Sequence, residues 1–459
     1  MRNEFCQSRS LVLNVFSVKQ ENDTVSEYPY IMKQTPFLSF VLPTRDRPQL
    51  LQKCLDYLTQ QDLLDFEVIV SDNSVNETSQ HIVEPYLVDN RFKYYRPKKP
   101  LSMSDHWDFA IQYASGEYVT LINEKFLFHP NAASTLKSLS EKFDKPDILS
   151  WQFEHFHLSN IDKLEGAYHP LIKPCSPTPY SASCELKRRF DFNEPLFGRH
   201  TQEKISYGKI YSGAVNKDII KQVKSAFGRV FMPTSPDFTS LICFLNFSRR
   251  CLDVGRSLMV VVSGENISTG ESTRVSLAAT KRSLSETYDN PELYLNSLII
   301  PGLGVGHSIF IASDYLALQK QYSVGNLSLH KVNIPAVVGW AKYEMASIQD
   351  WGELSSSYYY GLLDDYCKRF NPEELAVFNG IDEALKQSRQ PSSREIYHSG
   401  LKKVTQHEPD ISPERLASYH WEKQMALPRK PVCSREQPID DAINFFVRYT
   451  NCSVELLGL

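Results

Sequence analysis

No run in this 459-residue chain approaches the roughly 18 consecutive apolar residues that a membrane-spanning helix needs. Its first residues, MRNEFCQSRSLVLNVF, hold no continuous apolar segment of the kind that directs secretion. Charge of one sign is lacking too. With 50 basic against 54 acidic residues the formal net charge is −4, which excludes a general affinity for nucleic acid and leaves any polyanion site local. The nine cysteines show no CxxC and no finger-like spacing with histidine, so they read as reduced thiols. No repeat period is visible. The expectation is a cytoplasmic chain with a substantial core, with peripheral association at the inner face of a membrane left open.

What is present is an alternation. From Phe37 onward, strand and helix patterns follow one another with short breaks, the signature of βαβ units. FLSFVL and FEVIVSD read as buried strands, RFKYY as a short third and EYVTLI as a fourth. Leu50, Leu51, Cys54, Leu55 and Leu58 recur at helical spacing after Pro48, which suits a first turn. Trp107, Ala110, Ile111 and Ala114 mark another helix face, with Gly116 read as its stop. After the strand candidate DILSWQFEHFHL, residues 160–206 read as a long, partly irregular insertion rich in proline, serine and charge. SPDFTSLICFLNF and LDVGRSLMVVVSG restore the pattern, and beyond about Gly270 the chain turns mainly helical.

In an open α/β sheet, ligands sit at the carboxyl ends of the strands. Three polar strand ends stand out: Thr44-Arg45-Asp46, Asp72-Asn73-Ser74 and Asn123-Glu124-Lys125. An acid after a strand is by itself more often a turn former or a helix cap. Three in this order and spacing carry more weight.

FVLPTRDRPQLLQKCLDYLTQQ, FEVIVSDNS and SDHWDFAIQYASGEYVTLINEKFLFHP, with a weaker continuation to ISTG, resemble the family 2 glycosyltransferases of the GT-A fold. The resemblance covers about Phe37 to Gly270. It implies an α/β, Rossmann-like nucleotide-diphospho-sugar transferase domain over 36–270, after an amino-terminal segment (1–35) and before a mainly helical carboxy-terminal region (271–459). By resemblance, Pro43, Thr44 and Arg45 line the nucleotide pocket, Asp72 bonds the base, and Asn73 and Ser74 shape the turn. Asp108 stands where the family has a polar residue facing the donor; a solvated helical acid is the alternative.

The family places an acidic DxD signature where this chain reads Asn123-Glu124-Lys125. Those carboxylates hold a divalent cation on the donor diphosphate. A protonated lysine cannot. Either Lys125 supplies the positive charge itself, or Asn123 and Glu124 still hold Mg²⁺ or Mn²⁺ in shifted geometry. Inverting transfer also needs a carboxylate base, and Asp237 in TSPDFTSLI resembles the family's acid; the alternative is a helix cap. His155 and Trp151 are acceptor-side candidates, with packing as their plainer reading. GLGVGHS lacks the GxGxxG spacing and is set aside. The expected activity is transfer of a sugar, from a UDP-sugar by default, to a glycan or lipid-linked saccharide. A non-catalytic sugar-nucleotide or glycan-binding protein of the same fold is the rival, and self-association through the carboxy-terminal region stays open.

Overall fold

The computed structural model describes residues 35–75, 78–169, 175–192, 210–264, 269–322, 324–387 and 436–457. The amino-terminal segment expected over 1–35 thus lies almost wholly outside the described residues.

The first half builds a parallel sheet. Strands β1 (Leu38–Thr44) and β2 (Phe66–Asp72) are buried along their whole length, as their unbroken apolar character requires of central parallel strands. Between them α1 (Pro48–Thr59) starts at a proline and buries Leu50, Leu51, Cys54, Leu55 and Leu58. After α2 (Thr78–Val83) come β3 (Phe92–Tyr95), α3 (Met103–Ile111) and β4 (Tyr118–Leu121). The spatial order is β4-β1-β2-β3, all parallel. A turn over 122–125 leads to a three-residue strand, β5 (Phe126–Phe128), and then α4 (Ala132–Lys142).

The other half of the sheet is mixed. It comprises β6 (Ile148–Asn160), β7 (Glu165–His169), β8 (Thr178–Ser181), α5 (Ala182–Asp191), β9 (Gly213–Asn216), α6 (Lys217–Phe227), α7 (Pro236–Phe247) and β10 (Arg250–Ser263). Strand β9 joins the halves, pairing antiparallel with both β4 and β6. Strand β10 runs parallel to β6 and antiparallel to β5 and β8. The insertion expected to be irregular over 160–206 therefore holds two strands and a helix within its described part.

Helices follow: α8 (Thr269–Val275), α9 (Leu277–Thr287), α10 (Pro291–Asn296), α11 (His307–Gln321), α12 (Ile334–Met345), α13 (Ser356–Cys367) and α14 (Pro372–Gln387). They share one apolar cluster with the sheet, which runs from Val41 and Ile69 through Leu241 to Ile309, Val337 and Leu363. Finally β11 (Gln437–Pro438) pairs with β7, and α15 (Ile439–Leu457) docks on the first half through Asp440, which accepts from Lys53 (2.7 Å) and from Tyr57 (2.9 Å). Among the described residues no helix is long and apolar enough to cross a membrane.

Gly116 is not the helix stop that its place in the sequence suggests, since α3 ends at Ile111. It is needed for close approach: its N–H donates to Ser39 Oγ (2.8 Å), and a Cβ there would lie 2.7 Å from that oxygen. The same corner holds the buried Glu67, which accepts from Ser39 Oγ (2.6 Å), Ser115 N (2.6 Å), Ser115 Oγ (2.8 Å) and the Lys93 ammonium. Burial pushes the Glu67 pKa up, but the bonds from Lys93, Ser39 and Ser115 together hold it below its ordinary value. A depressed folded-state pKa stabilises the fold above the unfolded value and loses that contribution as pH falls through the folded one. Glu67→Gln is thus expected to lower stability at neutral pH, with the gap to wild type closing in denaturant titrations run below about pH 4. A gap independent of pH would show that shape rather than charge holds this corner.

Candidate active site

The chain leaves β1 toward β2 and β3 on one side, then returns to β4 on the other. Such a switch point opens a crevice at the carboxyl ends of the two strands. At the end of β1, Pro43 and Thr44 are buried, and the Thr44 hydroxyl makes no hydrogen bond. The following Asp46 takes a left-handed backbone (φ 56°), and its N–H is held by Ser74 Oγ (3.0 Å). Arg45 is two-fifths exposed and reaches Glu286 of α9 (3.5 Å).

Across the crevice, Glu124 is buried at 1% exposure, and its Oε1 accepts from Arg47 Nη1 at 2.6 Å. Asn123 folds back, its Oδ1 accepting from the backbone N–H of Lys125 (2.9 Å). The carbonyl of Lys125 accepts from Val262 N (2.9 Å), which ties this turn to β10. Beneath it the Cys54 thiol of α1 donates to the Phe126 carbonyl (3.4 Å). These residues do not fit a divalent ion. The one carboxylate is neutralised by a guanidinium, the next residue in sequence is a lysine, and among the described residues no group of three or more His, Cys, Asp and Glu side chains is placed to share a metal.

The end of β2 is bonded within the protein. Asp72 is fully buried, with Oδ1 accepting from Ser74 N (2.9 Å) and Oδ2 from the Tyr94 hydroxyl (2.9 Å). Asn73 exchanges two bonds with the backbone of Leu101 (2.9 Å each), which fixes the entry to α3. Behind them the buried His106 meets Ser71 Oγ (2.9 Å), and burial pushes its pKa down to about 4. Asp108 is not a solvated acid. It accepts from the backbone N–H of Val230 (2.9 Å) and pairs with Arg229 (3.1 Å), so it fastens the loop that leads to α7. Burial raises its pKa.

Asp237 lies in the first turn of α7, two residues after Ser235, the residue at the cap position. Asp237 is therefore not the cap residue, and Ser235 holds that position without a side-chain capping bond. The Asp237 Oδ2 accepts from the Tyr211 hydroxyl at 2.7 Å, and the Tyr211 ring packs against Phe126, the residue after Lys125. Thus the acid and the polar turn after β4 are joined through one tyrosine.

With this geometry in place, the relatives are informative. The sequence profile described as Glycosyl transferase family 2 matches residues 39–166, from β1 to the start of β7. This segment is a family 2 glycosyltransferase domain. Within the chain, 103 residues are 31% identical to the GalNAc(5)-diNAcBac-PP-undecaprenol beta-1,3-glucosyltransferase of Campylobacter jejuni, covering 22% of this chain and 33% of that one. Another 75-residue match is 37% identical to the validoxylamine A glucosyltransferase of Streptomyces hygroscopicus subsp. limoneus, covering 16% and 17%. The chain thus spans about a third and a sixth of the lengths of these two relatives. The structure of S. aureus TarS 1-349 with UDP-GlcNAc overlays 76% of this chain and 91% of its own at 15% identity, with a TM-score of 0.41.

Around the family 2 domain the helical region adds groups that the sequence did not single out. His307, at the start of α11, bonds Thr273 Oγ1 of α8 (3.2 Å). Burial first and the Arg274 charge second push its pKa down to about 4, against the opposing pull of the Asp237 carboxylate. Glu344 of α12 accepts from Ser308 N (3.0 Å) and Ser308 Oγ (2.7 Å), and burial pushes it up to about 7. The acceptor-side candidates fare differently. Trp151 is fully buried, edge-on to Phe128, and cannot stack on a sugar. His155 is half-buried on β6, in register with Val261, whose other neighbour is Phe126. Arg47 and Tyr211 were missed because their partners lie 77 and 26 residues away in sequence.

Proposed function

We propose that the chain is an inverting glycosyltransferase that moves a sugar from a nucleotide-sugar donor to a glycan or lipid-linked saccharide. The acceptor hydroxyl oxygen bonds the anomeric carbon as the bond from that carbon to the diphosphate oxygen breaks. The hydroxyl proton passes to Asp237, and the electron pair leaves with the nucleoside diphosphate. The observation that carries this reading is the convergence at the switch point of a family 2 domain: the end of β1, the turn after β4 and, through Tyr211, the Asp237 carboxylate. UDP is the favoured nucleotide, and the undecaprenol-linked saccharide in the name of the Campylobacter relative makes a lipid-linked acceptor the first to try. The test is release of nucleoside diphosphate from a panel of UDP- and GDP-sugars offered with polyprenyl-diphosphate saccharides and soluble glycans. Absence of release from every donor, with nucleotide still bound, would favour a binding protein.

In this reading the nucleoside lies across the ends of β1 and β2, with Asp72 at the base. Asp72 also holds the Ser74 turn and Tyr94 in place. Asp72→Ala is expected to weaken UDP binding in calorimetry by about 1–3 kcal/mol, the cost of losing a buried hydrogen-bonding group. Unchanged affinity would move the base elsewhere.

A further inference from the structure

The disagreement between the turn after β4 and a metal site has a built answer in Arg47. This residue stands between β1 and α1, at the amino end of a helix with no acidic residue in its first turn. Glu124 grips one nitrogen of its guanidinium from the opposite side of the crevice (2.6 Å). The pair therefore spans β1 and β4 at the switch point, and the buried carboxylate fixes the cation there. Arg47 keeps 28% of its side chain exposed, and among the described residues Glu124 is its one partner. A guanidinium presents five N–H donors in a rigid fork, so one edge can stay on Glu124 while another meets phosphate oxygens. Nearby, the Thr44 hydroxyl is buried at 2% exposure without a partner.

We propose that the Arg47–Glu124 pair takes the place of a divalent ion and holds the diphosphate of the donor, with Glu124 positioning Arg47. This rests on the glycosyltransferase reading above. The diphosphate gains one negative charge as it leaves, and a cation already oriented by a buried carboxylate needs no reorganisation to meet it. Lys125, on the same turn, adds a second positive charge. The pairing of Arg47 with Glu124 was not visible in the sequence, where TRDRP and INEK stand far apart.

The test is calorimetry of the full chain with UDP and UMP, in EDTA and in Mn²⁺. Wild type is expected to bind UDP equally in both, within about twofold. Arg47→Ala is expected to lose about tenfold or more in UDP affinity, the scale of one charge-assisted hydrogen bond, while UMP affinity changes far less. Lys125→Ala should show the same selectivity for the diphosphate. Because Arg47→Ala strands a buried carboxylate, the Arg47→Ala/Glu124→Gln double variant, which leaves no unpaired charge, repeats the measurement on a fold not burdened by it. Wild-type UDP binding that collapses in EDTA and returns with Mn²⁺ would overturn the inference. So would UDP affinity unchanged in the double variant. If wild type binds neither UDP nor GDP, the glycosyltransferase reading itself fails, an outcome distinct from a wild type that binds UDP through other residues.

Discussion

Asp237→Asn is expected to cut sugar transfer by about 10²-fold or more while leaving fold and nucleotide affinity nearly unchanged, the scale typical of a lost general base. The structure makes this a clean exchange. Asparagine keeps the size of the side chain, and its carbonyl can still accept from the Tyr211 hydroxyl, which now holds Oδ2 at 2.7 Å. The cap position of α7 belongs to Ser235, so asparagine gives up only the favourable placement of a negative charge in the first turn, about 0.3–1 kcal/mol. What asparagine cannot do is take a proton. Steady-state kinetics beside a thermal melt decide the matter: lower kcat with an unchanged melt fits a base, whereas a lower melt with full specific activity fits a structural acid. Tyr211→Phe, which removes the bond but keeps the carboxylate, is expected to lose activity by a smaller factor.

The other large effect is expected far from the chemistry. Gly255→Ala is expected to destabilise the fold by about 3 kcal/mol, since a left-handed alanine and a steric clash add together. Gly255 has φ 77°, and a Cβ there would run into the Cys175 carbonyl, whose own N–H donates to the Gly255 carbonyl (2.7 Å). It sits where β10 slips register against β6, between Asp253 and Ser257. That bulge re-aims the strand so that its far end pairs with β5 and holds the Lys125 carbonyl. Denaturant titration reads the stability loss. The accompanying expectation is weaker UDP binding in the surviving folded fraction, and a variant as stable as wild type would show that the bulge can relax.

Long, regular elements were legible from pattern alone. The apolar runs of β1 and β2, the helical spacing of α1 and the Pro-led start of α7 announce themselves because burial on a sheet or one helix face dictates residue type locally. Strand β5 was missed since three residues after a polar turn carry no period, and it exists only because β10 offers it an edge. Strands β7 and β8 were hidden by their polar composition. Gly116 was assigned to the wrong cause, because a glycine before a strand looks the same whether it ends a helix or makes room for Ser39. At the site, family resemblance pointed to the polar strand ends, yet it could not show that Asp72 and Asn73 bond within the protein. Nor could it show that Trp151 is core, or that Glu124 is answered by an arginine. Those facts live in contacts between elements distant in sequence.

The docking of β11 and α15 onto the opening half of the fold has a consequence for synthesis. Strand β7 emerges early, but the hydrogen-bonding partner for its outer edge, Gln437–Pro438, is translated only after every helix from α8 to α14. So is the apolar face of α15, whose Phe445 and Phe446 meet Tyr168 and His129. Until both have emerged, the nascent domain therefore carries an open strand edge beside uncovered aromatic surface, a combination that invites pairing with other chains. Nascent chains stalled before residue 437 are therefore expected to misassemble more readily than chains in which α15 has emerged.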